Sequence, residues 1–131
     1  MSSIKGLAGS VAVSTSTAVA ILPSGDLARS RAYYAFLGFR VLSETADYLQ
    51  VELPVDDLGV QLHLYLAPET DACTNANGWY LRTPYPEDLR GKWCADGVDC
   101  PEVEVPDSYG PTVFALIDPD GNMLRVGPLM P

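Results

Sequence analysis

The segment from Tyr48 to Leu66 constrains this chain more than any other. Val60, Leu62, Leu64 and Leu66 alternate with Gln61, His63 and Tyr65, while Leu49, Val51 and Leu53 alternate with Tyr48, Gln50 and Glu52. A period of two sends successive side chains to opposite faces of a strand. Two such strands, joined across Pro54 and the Asp56-Asp57-Leu58-Gly59 turn, predict a sheet with one apolar face and one polar, aromatic face. The apolar face needs a cover, and a helix predicted just upstream supplies it. Asp26 suits the cap, since its carboxylate can accept the free N–H groups of the first turn. Leu27, Ser30, Tyr34 and Leu37 then recur at intervals of three and four, Tyr33 and Phe36 widen the stripe, and Gly38 stops it.

Around this unit the element order repeats. A strand over 17–22 ends at a Pro23-Ser24-Gly25 turn, and a strand over 39–44 follows the helix. In the second half Asn77-Gly78 opens a strand that runs through Arg82, and a short helix runs from Glu87 to about Ala95. Strands at 103–105, 112–117 and 123–126 follow, with Asp118-Pro119-Asp120-Gly121-Asn122 as the last turn. Strand, helix and three strands thus occur twice, about sixty residues apart, in element order and not in residue identity.

The chain's 131 residues, 47% hydrophobic and 19% charged, suffice for one packed domain and are too apolar for a disordered chain. Eight Lys and Arg against seventeen Asp and Glu give a formal charge of −9. That balance excludes nucleic acid and anionic membrane as expected partners and favours a cationic small molecule. Cys73, Cys94 and Cys100 show neither even pairing nor CxxC spacing, so a reducing, cytoplasmic compartment is expected and a zinc cluster is not. Residues 1–16, small and polar, read as a flexible lead-in to a single domain over 17–127.

This element order, with Leu37-Gly38-Phe39, Asn75-Ala76-Asn77-Gly78-Trp79 and Asp118-Pro119-Asp120-Gly121-Asn122 at their places, resembles the vicinal oxygen chelate superfamily. Within it the likeness is to the bleomycin resistance protein family. The resemblance implies an α+β fold of two βαβββ modules, over about 17–67 and 76–127, forming a curved mixed sheet around a cleft. It also implies a homodimer whose clefts are built by both subunits.

The superfamily's metal enzymes take His, Gln or Glu ligands from the first strand of each module and from the last strand. Here those positions fall at Ala18 or Val19, at Trp79 or Tyr80, and at Arg125. None can ligate a cation, so no metal, no cofactor and no catalytic group are expected. The resemblance instead implies a non-catalytic protein that sequesters a cationic, aromatic drug of the bleomycin type.

For that role Tyr48, Trp79 and Tyr109 are the candidate stacking residues; packing in the core or at a dimer interface is the other reading of each. Gln50, Gln61, His63 and Tyr65 share the polar sheet face as candidate hydrogen-bonding residues, and Glu52 is a candidate for meeting a cation. Trp93 is expected in the core. The acidic residues Asp96, Asp99, Glu102, Glu104, Asp107, Asp118 and Asp120 either border the cleft, as in the family, or form a solvated stretch. The alternatives are a metal-dependent lyase or isomerase of the glyoxalase kind, or a small-molecule sensor or accessory subunit.

Overall fold

A computed structural model describes residues 16–55, 59–100 and 114–129. The first module is β1 (Ala20–Ser24), α1 (Leu27–Phe36), β2 (Arg40–Glu44), β3 (Tyr48–Leu53) and β4 (Val60–Leu66). The second is β5 (Gly78–Arg82), α2 (Pro86–Ala95), β6 (Phe114–Ile117) and β7 (Met123–Gly127). The strand expected over 103–105, the lead-in over 1–15 and Tyr109 lie outside the described residues.

The repeat read from element order is visible in the pairing. β1 runs parallel to β4 in a sheet ordered β1-β4-β3-β2, and β5 runs parallel to β7 in a sheet ordered β5-β7-β6. The other neighbours are antiparallel. The α+β class is as expected, but among the described residues the curved sheet is two sheets, with β1 and β5 each at an edge of its own.

Local chemistry explains the first module. Asp26 caps α1 by accepting the Arg29 N–H at 3.1 Å, and Gly38 takes φ +102° just past the Leu37 C-cap. Leu27, Ser30 and Tyr34 are buried, whereas Phe36, expected in the stripe, is 55% exposed. β1 departs from its expected bounds by running through Pro23 to Ser24. Proline is tolerated there because β1 is an edge strand. The Pro23 carbonyl accepts from Asn122 Nδ2 at 3.0 Å, so the second module covers that edge.

One core joins the modules. Leu22, Leu49, Val51, Leu62 and Leu64 from the first sheet are in one cluster with Leu81, Phe114, Leu116, Leu124 and Val126 from the second. Trp93 of α2 is fully buried in it, as expected, edge-on to Phe114 with ring centroids 5.8 Å apart. Its indole N–H donates to the Leu37 carbonyl at 2.8 Å, so α2 hydrogen-bonds the end of α1.

Candidate ligand-binding site

Both helices pack on the leucine faces of the sheets, which leaves the opposite faces open. On the first sheet the register sets Tyr48 opposite Tyr65, Gln50 opposite His63 and Glu52 opposite Gln61. The six candidates from β3 and β4 therefore share one face, as their alternation requires. Tyr48 and His63 are joined diagonally, hydroxyl to Nδ1 at 2.8 Å, with their rings edge-on at 5.3 Å. The far ring nitrogen, His63 Nε2, is buried and has no hydrogen-bond partner.

Glu52 does not stand ready for a ligand cation. Arg40 lies directly across the β2–β3 ladder, and its Nε and Nη2 donate to Glu52 Oε1 at 3.0 and 2.5 Å. The carboxylate is buried beneath that guanidinium and its charge is matched within the sheet. Asp118 and Asp120 are likewise removed from the acidic lining considered above. Asp118 accepts the Tyr34 hydroxyl at 2.6 Å and the backbone N–H groups of Asp120 and Asn122 at 2.9 Å each. Asp120 accepts Gly25 N–H at 2.8 Å, Arg29 Nη2 at 2.6 Å and the Ser30 hydroxyl at 3.1 Å. Both carboxylates are buried and clamp the last turn of the second module onto α1 of the first. Gly121 makes the clamp possible: its φ is +86°, and a Cβ there would sit 2.5 Å from the Ala72 carbonyl oxygen. Asp96 is paired with Lys92 on α2, and Asp99 borders a groove of about 500 Å³ beside Tyr33 and Phe36. Glu102, Glu104 and Asp107 lie outside the described residues.

Trp79 does not lie on the Tyr48–His63 face. It pairs in register with the core residue Leu124 and packs edge-on to Phe39, with centroids 6.5 Å apart. This strand position points it between the two sheets. There it lines a cavity of about 370 Å³ with Ala18, Val19, Gln61 and Tyr80, and also a larger groove of about 630 Å³ on its other side. Gln61 is the candidate from the first sheet that shares the small cavity with it. The Trp79 indole nitrogen is buried without a hydrogen-bond partner.

The small cavity also tests the metal implied by the enzymes of this fold. It gathers Ala18, Val19, Trp79 and Tyr80, the positions that should carry ligands on the first strand of each module. Arg125, the last-strand position, pairs in register with Tyr80. Aliphatic side chains, an indole, a phenol and a guanidinium do not form a donor set for a divalent ion. Nor do three or more His, Cys, Asp or Glu side chains converge anywhere among the described residues. A thiol nucleophile finds no support at Cys100, where burial first and contact with Cys94 second push the thiol up to about 12.

Residue reasoning missed the open face of the second sheet. Tyr80, Arg82 and Arg125 share it, opposite Leu81, Leu124 and Val126. The Arg82 guanidinium lies over the Tyr80 ring, 4.7 Å from its centroid. The signal was present in the alternation of Gly78–Arg82 with Leu81 and of 123–127 with Leu124 and Val126.

Solved structures superpose on this fold over most of its length. A bleomycin-binding protein complexed with bleomycin superposes with a TM-score of 0.74 at 22% identity, over 88% of this chain and 100% of that one. A bleomycin resistance determinant encoded on the transposon Tn5 gives 0.71 at 23% identity, over 86% and 96%. The fold is that of the bleomycin-resistance proteins. A glyoxalase/bleomycin resistance protein/dioxygenase from Alicyclobacillus acidocaldarius has the same bleomycin-resistance fold, at 0.66 and 20% identity over 88% and 92%. No protein-family model matches the chain, and no curated protein matches it in sequence. No helix among the described residues is long and apolar enough to cross a membrane.

Proposed function

We propose that this protein binds a small molecule without transforming it, sequestering a cationic, aromatic drug of the bleomycin type in the cytoplasm, in a cleft completed by a second copy of the chain. One observation carries the reading. Among the described residues, the buried side-chain polar atoms left without a hydrogen-bond partner are His63 Nε2 and Trp79 Nε1. Both belong to residues that the sequence nominated for the ligand. Leaving a buried polar atom unpaired costs about 1–3 kcal/mol, which a ligand group placed against it would recover. Tyr48 and Tyr65 offer ring faces beside His63, and the net charge of −9 draws in a cation without help from Glu52, Asp118 or Asp120.

The test is calorimetric titration of the metal-stripped protein with copper-free and copper-loaded bleomycin, with light scattering to report the oligomeric state. Submicromolar binding without added metal is the expected result. Trp79→Phe keeps a ring and removes the orphaned N–H, so it should weaken binding about tenfold while leaving the fold as stable or more stable. A drug that fails to bind, or a variant that binds as tightly as the parent, would sink this reading.

A further inference from the structure

Four of the seven basic side chains among the described residues are matched by carboxylates. Arg29, Arg31, Arg40 and Lys92 pair with Asp120, Glu44, Glu52 and Asp96, and Arg90 donates to the Cys100 carbonyl. Arg125 is different. It is partly buried, lines the groove of about 630 Å³, and makes neither hydrogen bond nor ion pair among the described residues. It is also the charged residue of that groove, whose walls include Trp79, Tyr80, Ile117 and Met123. Arg82, its neighbour beyond Tyr80 on the same face, has a ring and a carbonyl oxygen for partners and, among the described residues, no carboxylate.

Among the described residues this guanidinium has no counter-ion, in a chain whose formal charge is −9. Its fork of donors matches a carboxylate in the bidentate geometry that an ammonium cannot reproduce. Apolar walls weaken screening around it and favour a ligand with a flat apolar body. From this we infer that the groove beside β5 and β7 is a second binding site, one that takes an aromatic carboxylate with its carboxylate on Arg125 and its ring against Tyr80, Ile117 and Met123, which share the Arg125 face. Arg82 fixes the Tyr80 ring and adds positive potential. This site is selective for the charge sign opposite to that of the drug proposed above, and it stands or falls separately from it.

The experiment compares isosteres on the intact protein by calorimetry: 2-naphthoate, neutral 2-naphthamide, cationic 2-naphthylmethylammonium and 2-naphthyl phosphate. The expected order sets naphthoate about ten- to hundredfold above the amide and the ammonium, against the direction of the net charge. Arg125→Gln should abolish the preference for naphthoate over the amide, Arg125→Lys should retain part of it, and Arg82→Gln should reduce it least. Equal or reversed affinities among the isosteres of the parent protein would overturn the site without recourse to any variant. Tighter binding of the phosphate than of the carboxylate would overturn the carboxylate assignment. Bleomycin titrated into Arg125→Gln separates the two sites: drug binding should be unchanged or tighter where naphthoate binding is lost.

Discussion

The two modules share one topology and carry opposite chemistry on their open faces. In the first, Tyr48, Gln50, His63 and Tyr65 make a polar surface, and the Arg40–Glu52 pair beside them is internally balanced. In the second, Arg82 and Arg125 stand beside Tyr80 with no carboxylate partner among the described residues. The inward faces share a leucine pattern because one core is common to both, while the outward positions carry no such constraint. The helices differ as well: α1 has an Asp26 side-chain cap, whereas α2 starts at Tyr85 without one and is anchored by Trp93.

The joint between the modules is the most sensitive place to break this comparison. Asp120→Ala strips the acceptor from the Gly25 N–H and the Ser30 hydroxyl and releases Arg29. At about 1–3 kcal/mol for each donor left unpaired, denaturant unfolding should show a loss of roughly 2–5 kcal/mol. A loss under 1 kcal/mol would mean that the core alone holds the modules together.

Alkaline pH probes the same joint more gently. Burial, and then the Asp118 carboxylate beside it, raise Tyr34 well above its usual value of 10.0. Its protonated form is thus favoured in the folded state, so its contribution is complete below pH 10 and is lost as the unfolded chain ionises above it. Stability should fall by about 1.4 kcal/mol per pH unit above 10 on account of this residue, and Tyr34→Phe should remove that part of the slope. Parallel pH profiles for parent and variant would contradict the assignment.

The smallest expected effect sharpens the contrast between the helices. Asp26→Ala should cost about 1 kcal/mol, the usual worth of an N-cap, read from thermal or urea unfolding. Tyr85→Ala, at a position with no side-chain cap bond, should not show a capping loss.

Legibility in the sequence followed the range of the interactions. The Asp26 cap, Gly38 and the alternation of β3 and β4 are local patterns, and all were readable because their causes lie within a few residues. The second-module helix was readable for the same reason. Glu52 was misjudged because its partner Arg40 is set by the hairpin register, with a shift between Val41 and Ser43 that composition does not reveal. Asp118 and Asp120 looked like part of a charge run, since their partners Tyr34, Gly25, Arg29 and Ser30 lie more than eighty residues away. Trp79 was expected to stack on a ligand, but which side of β5 it takes depends on its parallel pairing with β7, which the residues near it do not reveal.

The turn that clamps the modules also has a bearing on how the chain is made. Gly25, Arg29 and Ser30 emerge from the ribosome early, while the carboxylate that satisfies them is 95, 91 and 90 residues further on. Until residue 120 arrives, the first module lacks the acceptor for the chain entering α1, and the edge of β1 at Pro23 has no Asn122 to cover it. Contacts of such long sequence separation form late and slow the search. From the completion of β4 at Leu66 until residue 120 is made, the first sheet therefore has its β1 edge unguarded, the condition under which nascent strands pair with the wrong neighbour.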